Sequence, residues 1–157
     1  MIKIGIDVGS TTAKLVAVDE NDNLLFSKYE RHNAKAKETI LSFLKELLSE
    51  IGDKDISVRI TGSIGMGISE KCSLPFVQEV VAAAKAIQKD YSHVTSMIDI
   101  GGEDAKVVFF NDAEATDLRM NGNCAGGTGA FIDQMAIILG VNIDELNQLA
   151  MNATQVY

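Results

Sequence analysis

The chain has few of the features that mark specialised classes of protein. It contains only two cysteines, Cys72 and Cys124, and they lie far apart. A disulfide scaffold is therefore not expected, and a reducing cytoplasm is the predicted compartment. No apolar run is long enough to cross a membrane, and Met1 leads straight into a strand-like segment rather than a signal peptide. These absences predict a cytoplasmic protein that does not associate with membranes.

Basic clusters and dinucleotide fingerprints are also missing. Lys and Arg together number 14 against 22 Asp and Glu, giving a net charge of −8, and the two signs are interspersed. Such a surface argues against binding to duplex nucleic acid. The glycines of residues 62–67 do not follow the order G-x-G-x-x-G. We expect them to form a loop that allows close backbone packing rather than a ligand site.

What the chain does contain is a short motif that occurs twice. The run Asp7-Val8-Gly9-Ser10-Thr11-Thr12-Ala13-Lys14 returns as Asp99-Ile100-Gly101-Gly102-Glu103-Asp104-Ala105-Lys106. The Asp, the first Gly, the Ala and the Lys are all displaced by 92 residues. Apolar residues precede each copy and a β-rich run follows it, so each predicts a strand, a tight loop and a second strand. Two such hairpins facing one another would direct two carboxylates and two glycine-containing loops at one small anion, and a nucleotide triphosphate with Mg²⁺ is the obvious candidate.

Periodicity and turn residues predict an α/β protein with mixed sheets. The order is three strands, a helix, a strand and a helix, then three strands and two helices. The predicted strands cover residues 2–7, 13–19, 24–29, 56–61, 95–99, 105–111 and 114–120, and the predicted helices 35–51, 79–91, 127–139 and 142–151. We expect two halves, residues 1–92 and 93–157, of which the second is truncated because it has fewer residues than the first.

The first loop has the residue types that suit a phosphate. Gly9 permits close backbone approach, and Ser10, Thr11 and Thr12 add hydroxyl donors to inward-facing amides. Asp7 ends its strand, where α/β sheets place ligand-binding groups, and its carboxylate could hold Mg²⁺ through water. The alternative is a β-turn in which the polar side chains bond only their own backbone.

The second loop makes the phosphate interpretation stronger, because independent turns would not need one offset at four positions. Asp99 repeats Asp7, while Glu103 and Asp104 add carboxylates that could orient an attacking water or hold the metal. Lys14 and Lys106 each begin a strand. Each either reaches the phosphates or is a solvated strand residue.

Cys124 lies in a third glycine-rich segment, just before an apolar helix. A thiolate beside a helix N-terminus is stabilised by the helix dipole and by free amides, which favours metal ligation. Gly126, Gly127, Thr128 and Gly129 at the same helix start could bind an anion. The alternative is a buried free cysteine in a turn.

Together the three motifs resemble the activator ATPases of 2-hydroxyacyl-CoA dehydratases and the related ATPase subunits of benzoyl-CoA reductase. The third motif, Asn123-Cys124-Ala125-Gly126-Gly127-Thr128-Gly129 followed by Phe131, is the specific one. The first two occur across the actin, Hsp70 and sugar kinase superfamily. The resemblance implies a duplicated ribonuclease H-like fold with ATP or ADP in the cleft between the halves. It also implies a homodimer that bridges one 4Fe-4S cluster, with Cys124 as one ligand and the next ligand beyond Tyr157.

The resemblance further implies that ATP hydrolysis is coupled to passing one electron from ferredoxin or flavodoxin to a dehydratase. Asp7 and Asp99 would then serve Mg²⁺. The phosphates would be bound by Ser10, Thr11, Thr12, Gly101 and Gly102. This chain departs from the family in having Glu103 where glutamine is common, and a carboxylate beside a triphosphate repels it unless a metal is bound. Two other functions stay open: a metabolite kinase of the same superfamily and a non-catalytic nucleotide sensor.

Overall fold

The computed structural model describes residues 1–111, 114–121 and 126–155. Its internal contacts divide the chain into two compact units, Met1–Ala86 and Ile87–Tyr157. The division falls within helix α3 (Glu79–Asp90), six residues before the predicted boundary. Each unit is built around its own sheet.

The first unit carries a four-stranded mixed sheet in the order β3-β2-β1-β4. Strands β1, β2 and β3 form an antiparallel meander, and β4 joins β1 in parallel. The elements in chain order are β1 (Ile2–Val8), β2 (Thr12–Val18), β3 (Leu24–Arg31), α1 (Ala36–Ile51), β4 (Ile56–Thr61) and α2 (Gly65–Cys72). The three strands of the meander, α1 and β4 match the predicted elements to within two residues at each end.

The core of this unit lies between one face of the sheet and α1. Alternate residues of the strands point to this face and are almost inaccessible, and the helix contributes Ile40, Phe43 and Leu47. Phe43 is 1% exposed. Gly52 caps the end of the helix as predicted: its φ is 67°, and its backbone amide donates a hydrogen bond to the Leu48 carbonyl. Burial of this apolar face therefore fixes the position of β1 and the loop that follows it.

Helix α2 was not predicted, because its glycines favoured a loop over residues 62–67. The helix forms because Ile60 packs on Gly65 and the Ile64 amide donates to the Val8 carbonyl at 3.0 Å. A Cβ at Gly62 would lie 2.3–2.6 Å from Val8 backbone atoms, and Gly62 has φ of 93°. The predicted close backbone packing is therefore confirmed at Gly62, and the predicted loop is wrong from Gly65 onward.

The second unit carries a three-stranded antiparallel sheet in the order β5-β6-β7. Its elements are β5 (Ser96–Ile100), β6 (Ala105–Asn111), β7 (Glu114–Asn121), α4 (Gly129–Leu139) and α5 (Ile143–Met151). The predicted capping box of α5 is confirmed. The Asn142 side chain accepts from the Glu145 amide at 2.9 Å, and the Glu145 carboxylate accepts from the Asn142 amide at 2.9 Å.

The two meanders repeat each other in register as well as in sequence. Asp7 pairs with Lys14 across β1 and β2, and Asp99 pairs with Lys106 across β5 and β6. The irregularity between Ala17 and Val18 in the first meander recurs between residues 109 and 110 in the second, again displaced by 92 residues. The duplication predicted from four residues thus extends to the strand pairing and to a shift in strand register.

The two meanders nevertheless bury opposite faces. In the first, Ala13, Leu15 and Ala17 of β2 are fully buried. In the second, the buried residues of β6 have the other parity, and they are Lys106, Val108 and Phe110. The equivalents of the first core are less buried: Ile98 is 68% exposed, and Ala105 and Val107 are half-buried. The repeated backbone is therefore packed from different sides in the two units.

Candidate functional site

Loop 1, residues 9–12, connects β1 to β2 and is closed by a backbone hydrogen bond. The Gly9 amide donates to the Thr12 carbonyl at 3.0 Å. Ser10 lies exposed at the tip, while Gly9, Thr11 and Thr12 are half-buried. The loop therefore presents a small, polar and accessible tip directly after a buried strand, as expected for a phosphate loop.

The carboxylate of Asp7 lies beside this loop, paired with lysine. Lys14 Nζ is 2.7 Å from Asp7 Oδ2 and 5.5 Å from the centre of the Tyr29 ring. Asp7 Oδ1 is buried and has no hydrogen-bond partner within the described part of the chain, and the same holds for Thr61 Oγ1. Thr61 pairs with Asp7 in the parallel register of β4 and β1. Because cross-strand partners share a face, Thr61, Asp7, Lys14 and Tyr29 form a polar row across the sheet.

His32, the residue that follows β3, also contacts loop 1, and this contact was not predicted from the sequence. Its Nε2 lies 3.0 Å from the Gly9 carbonyl oxygen, and its backbone amide donates to the Thr11 carbonyl at 3.2 Å. The residue is 4% exposed. The available sequence signal was its position directly after β3, but a histidine there carries no motif, and the backbone carbonyls that it contacts have no signature in the sequence.

Loop 2, residues 101–104, repeats the closure of loop 1. The Gly101 amide donates to the Asp104 carbonyl at 2.8 Å, the bond displaced by 92 residues from that of loop 1. A Cβ on Gly101 would lie 2.4 Å from Asp104 Oδ1, so the carboxylate covers this glycine. Glu103 is exposed at the tip, in the place that Thr11 takes in loop 1.

The ion pairs of the two loops differ. Lys106 bonds Asp104 Oδ2 at 2.7 Å, whereas its equivalent Lys14 bonds Asp7. The Lys106 side chain is only 9% exposed, so the alternative that it is a solvated strand residue is wrong. A buried ammonium needs a charged partner, which Asp104 supplies. Asp99 is half-buried, and no ion pair joins it to the described lysines and arginines.

The start of α4 is attached to loop 2. The Gly129 amide donates to the Gly101 carbonyl at 2.8 Å, and the Ala130 amide donates to the Gly102 carbonyl at 3.0 Å. The next two amides donate to the carbonyl of Thr128, which is fully buried. The first amides of a helix have no partner four residues back, and here the loop carbonyls and the Thr128 carbonyl satisfy those of Gly129, Ala130 and Phe131. The sequence also predicted Gly129 as part of an anion site here, which is wrong for its amide, because the Gly101 carbonyl already accepts it. An anion site at this terminus would have to use Gly126, Gly127 or Thr128.

Cys124 lies outside the described residues, so its predicted role as a ligand stays a prediction. Among the described residues no group of three or more His, Cys, Asp or Glu is arranged to hold a metal ion. The cysteine that is described, Cys72, is free and exposed at the end of α2. No helix within the described ranges is both long and apolar enough to cross a membrane.

Each of the two meanders has a glycine-containing loop that is closed by an equivalent backbone hydrogen bond, and this repeated arrangement indicates the class of protein. The fold is the α/β fold of the actin- and Hsp70-like ATPases, as predicted. Within that class, the family model of the BadF/BadG/BcrA/BcrD ATPases matches residues 4–157. The chain belongs to this ATPase family, which confirms the resemblance found from the motifs.

Named relatives give the same result. The chain is 28% identical to the (R)-2-hydroxyglutaryl-CoA dehydratase activating ATPase of Acidaminococcus fermentans over 97% of this chain and 59% of the relative. It is 31% identical to the 2-hydroxyisocaproyl-CoA dehydratase activator of Clostridioides difficile over 98% and 58%. The structure of the Clostridium difficile activator with bound ADPNP is similar with a TM-score of 0.86 and 29% identity, over 100% of this chain and 59% of that one. The chain thus spans about three fifths of the length of these relatives.

Proposed function

We propose that this chain is the nucleotide-binding part of an ATP-dependent activator of a 2-hydroxyacyl-CoA dehydratase-type enzyme. ATP and water would become ADP and phosphate, and one electron would pass from ferredoxin or flavodoxin through a 4Fe-4S cluster to the dehydratase. The observation that carries the proposal is the pair of hairpin loops, closed alike, in a member of this ATPase family.

Each loop would contribute to phosphate binding through its tip. Loop 1 would use the hydroxyl groups of Ser10, Thr11 and Thr12, which are exposed or half-buried beside the end of β1. Loop 2 would use the backbone of Gly101 and Gly102. The Asp104 carboxylate covers Gly101 in the structure, so it would have to move aside before a phosphate could approach this glycine closely.

The carboxylates Asp7 and Asp99 would serve Mg²⁺, which neutralises phosphate charge when bound. Mg²⁺ is commonly held by one or two carboxylates together with substrate phosphates and water, and the carboxylates that end β1 and β5 are ligands of this type. Asp99 is the more available of the two, because Lys14 already occupies one oxygen of Asp7. Lys14 would exchange this carboxylate for a phosphate when nucleotide binds. Glu103 and Asp104 would orient the attacking water, with Asp104 held by Lys106.

The attachment of α4 to loop 2 supports coupling between nucleotide and cluster. A change in the loop backbone on hydrolysis would move the Gly101 and Gly102 carbonyls, and the bonded amides at the start of α4 would follow. The helix begins five residues after Cys124. The loop proposed to bind phosphate is thus hydrogen-bonded to the helix that follows the segment proposed to hold the cluster, which supports such coupling.

The test is reconstitution of the full-length protein, purified without air, with iron and sulfide. We expect visible absorption of a cluster held by a homodimer, with Cys124 as one of its thiolate ligands. The variant Cys124→Ser should lose this absorption, whereas Cys72→Ser, which changes the exposed thiol of α2, should keep it. Equal absorption in Cys124→Ser and the unchanged protein would overturn the cluster assignment, and failure to hydrolyse ATP would overturn the ATPase assignment.

A further inference from the structure

One buried group beside loop 1 has no part in the function proposed above. The ring of His32 is almost inaccessible, its Nε2 contacts the Gly9 carbonyl, and its Nδ1 is buried without a hydrogen-bond partner in the described part of the chain. A leucine could fill this space without leaving a buried nitrogen unsatisfied. A polar ring kept there at the expense of one unsatisfied atom suggests that the contact made by Nε2 has a use.

A tight turn and hydrogen bonds hold the backbone of His32 next to loop 1. Asn33 and Ala34 both have positive φ, 46° and 63°, and the Lys35 amide donates to the His32 carbonyl at 2.7 Å. These features are those of a type I′ turn, which follows β3 directly. The His32 amide is also used, since it donates to the Thr11 carbonyl. The backbone of His32 is thus anchored on both sides while its ring reaches Gly9.

The two contacts determine where the amides of loop 1 point. In a planar trans peptide the carbonyl of one residue and the amide of the next point in opposite directions. The Gly9 carbonyl points at His32, so the Ser10 amide points away from it, and the Thr11 carbonyl orients the Thr12 amide in the same way. Because a carbonyl oxygen can only accept, Nε2 must carry the proton in this contact.

We propose that His32 is a positioning residue for phosphate binding: its Nε2–H holds the Gly9 carbonyl away from the ligand and so directs the Ser10 amide toward a nucleotide phosphate. The proposal rests on the proposed nucleotide-binding function. Without the donor, the Gly9–Ser10 peptide can rotate, and its carbonyl would then present negative charge to the phosphate. The effect should appear in nucleotide affinity rather than in the chemical step.

The test compares three variants of the full-length protein for ADPNP affinity, for kcat and KM in ATP hydrolysis, and for thermal midpoint. His32→Leu removes the donor and should weaken ADPNP binding and raise KM about tenfold, the loss expected when the Ser10 amide no longer donates to a charged phosphate. His32→Gln places an N–H near the position of Nε2 and should restore most of the affinity. His93→Leu changes the other histidine, which is exposed, and should leave affinity and KM unchanged.

A second measurement uses the unchanged protein. With ¹⁵N-labelled histidine, the Nε2 resonance of His32 should show a bound proton and should shift when ADPNP is added, whereas that of His93 should not. Wild-type affinity in a folded His32→Leu variant, or a His32 resonance that does not respond to ADPNP while the protein binds it, would overturn the role of His32 alone. If the unchanged protein binds no nucleotide, the proposed function fails instead.

Discussion

Replacing Gly62 with alanine should damage the first unit more than most single substitutions. Gly62 lies just after β4, and its Cα faces the backbone of Val8, the last residue of β1. A Cβ built there would be 2.3 Å from the Val8 carbonyl oxygen, and the overlap is with backbone rather than with a flexible side chain. The φ of 93° adds strain of its own for any residue with a Cβ.

The magnitude follows from these two contributions. Holding a non-glycine residue in a left-handed conformation costs about 1–2 kcal/mol. Forcing an extra carbon into a close-packed region costs about 1–3 kcal/mol, and Val8 is fully buried. Together they lower the free energy of unfolding by about 2–5 kcal/mol. At a urea dependence of about 2 kcal/mol per molar, the midpoint of unfolding should fall by about 1–2.5 M.

Urea unfolding followed by far-ultraviolet circular dichroism measures this change, and Gly67→Ala is the matched control. Gly67 lies in α2 and is exposed, and a Cβ added there would have no neighbouring atom within 4 Å. Alanine there should stabilise the helix by about 1 kcal/mol, since it restricts the unfolded chain. The two variants add the same methyl group five residues apart and should change stability in opposite directions.

A Gly62→Ala variant that unfolds at the same urea concentration as the unchanged chain would refute the argument. Such a result would mean that β1 can shift away from Gly62 without loss, and the end of that strand would then be a poor support for loop 1. A parallel loss of stability in Gly67→Ala would show that any alanine in this segment is harmful, whatever its contacts.

Three further outcomes can be checked in the same way. Phe43→Ala should lower the free energy of unfolding by about 3–5 kcal/mol in urea titrations, because it empties the centre of the first core. Asn142→Ala should cost about 1 kcal/mol by removing one half of the capping box, with a loss of helix signal in circular dichroism. Hydrogen bonds from the Asn23 side chain and backbone hold the pKa of Asp19 below its usual value, so its contribution to stability is present above the unfolded pKa and disappears as the pH falls below about 4. Asp19→Asn should flatten that part of the stability curve measured by thermal unfolding between pH 2 and 6.

Much of the fold could be predicted because local patterns and tertiary packing agree. The offset of 92 residues predicted two hairpins, and the structure extends it to the pairing of Asp7 with Lys14 and Asp99 with Lys106. Helix α2 was missed because its glycines have low helix propensity, while the packing of Ile60 on Gly65 that favours the helix involves a different element. The difference in buried face between the two meanders could not be predicted from the sequence either, because alternation indicates that one face of a strand is covered but not which element covers it.

The candidate site was predictable where side chains carry the information. The loop residues and the two aspartates lie where the motifs placed them, at the ends of β1 and β5. The partners of the lysines were not predictable, because equivalent positions choose different carboxylates: Lys14 bonds Asp7 and Lys106 bonds Asp104. His32 was missed because it acts on backbone carbonyls. Contacts between backbone atoms, including those of α4 with loop 2, have no pattern in a single sequence.

The two hydrogen bonds that join α4 to loop 2 also allow opening of the loop to be detected by hydrogen exchange. The amide protons of Gly129 and Ala130 are protected from solvent deuterium by carbonyls of the loop, not by carbonyls of their own helix. Their exchange rates therefore measure how often the loop opens, whereas the amide of Gly140, bonded to the Ile137 carbonyl, measures only the far end of the helix. The state of loop 2 can thus be followed over time from its neighbour, without placing a label or a substitution in the loop itself.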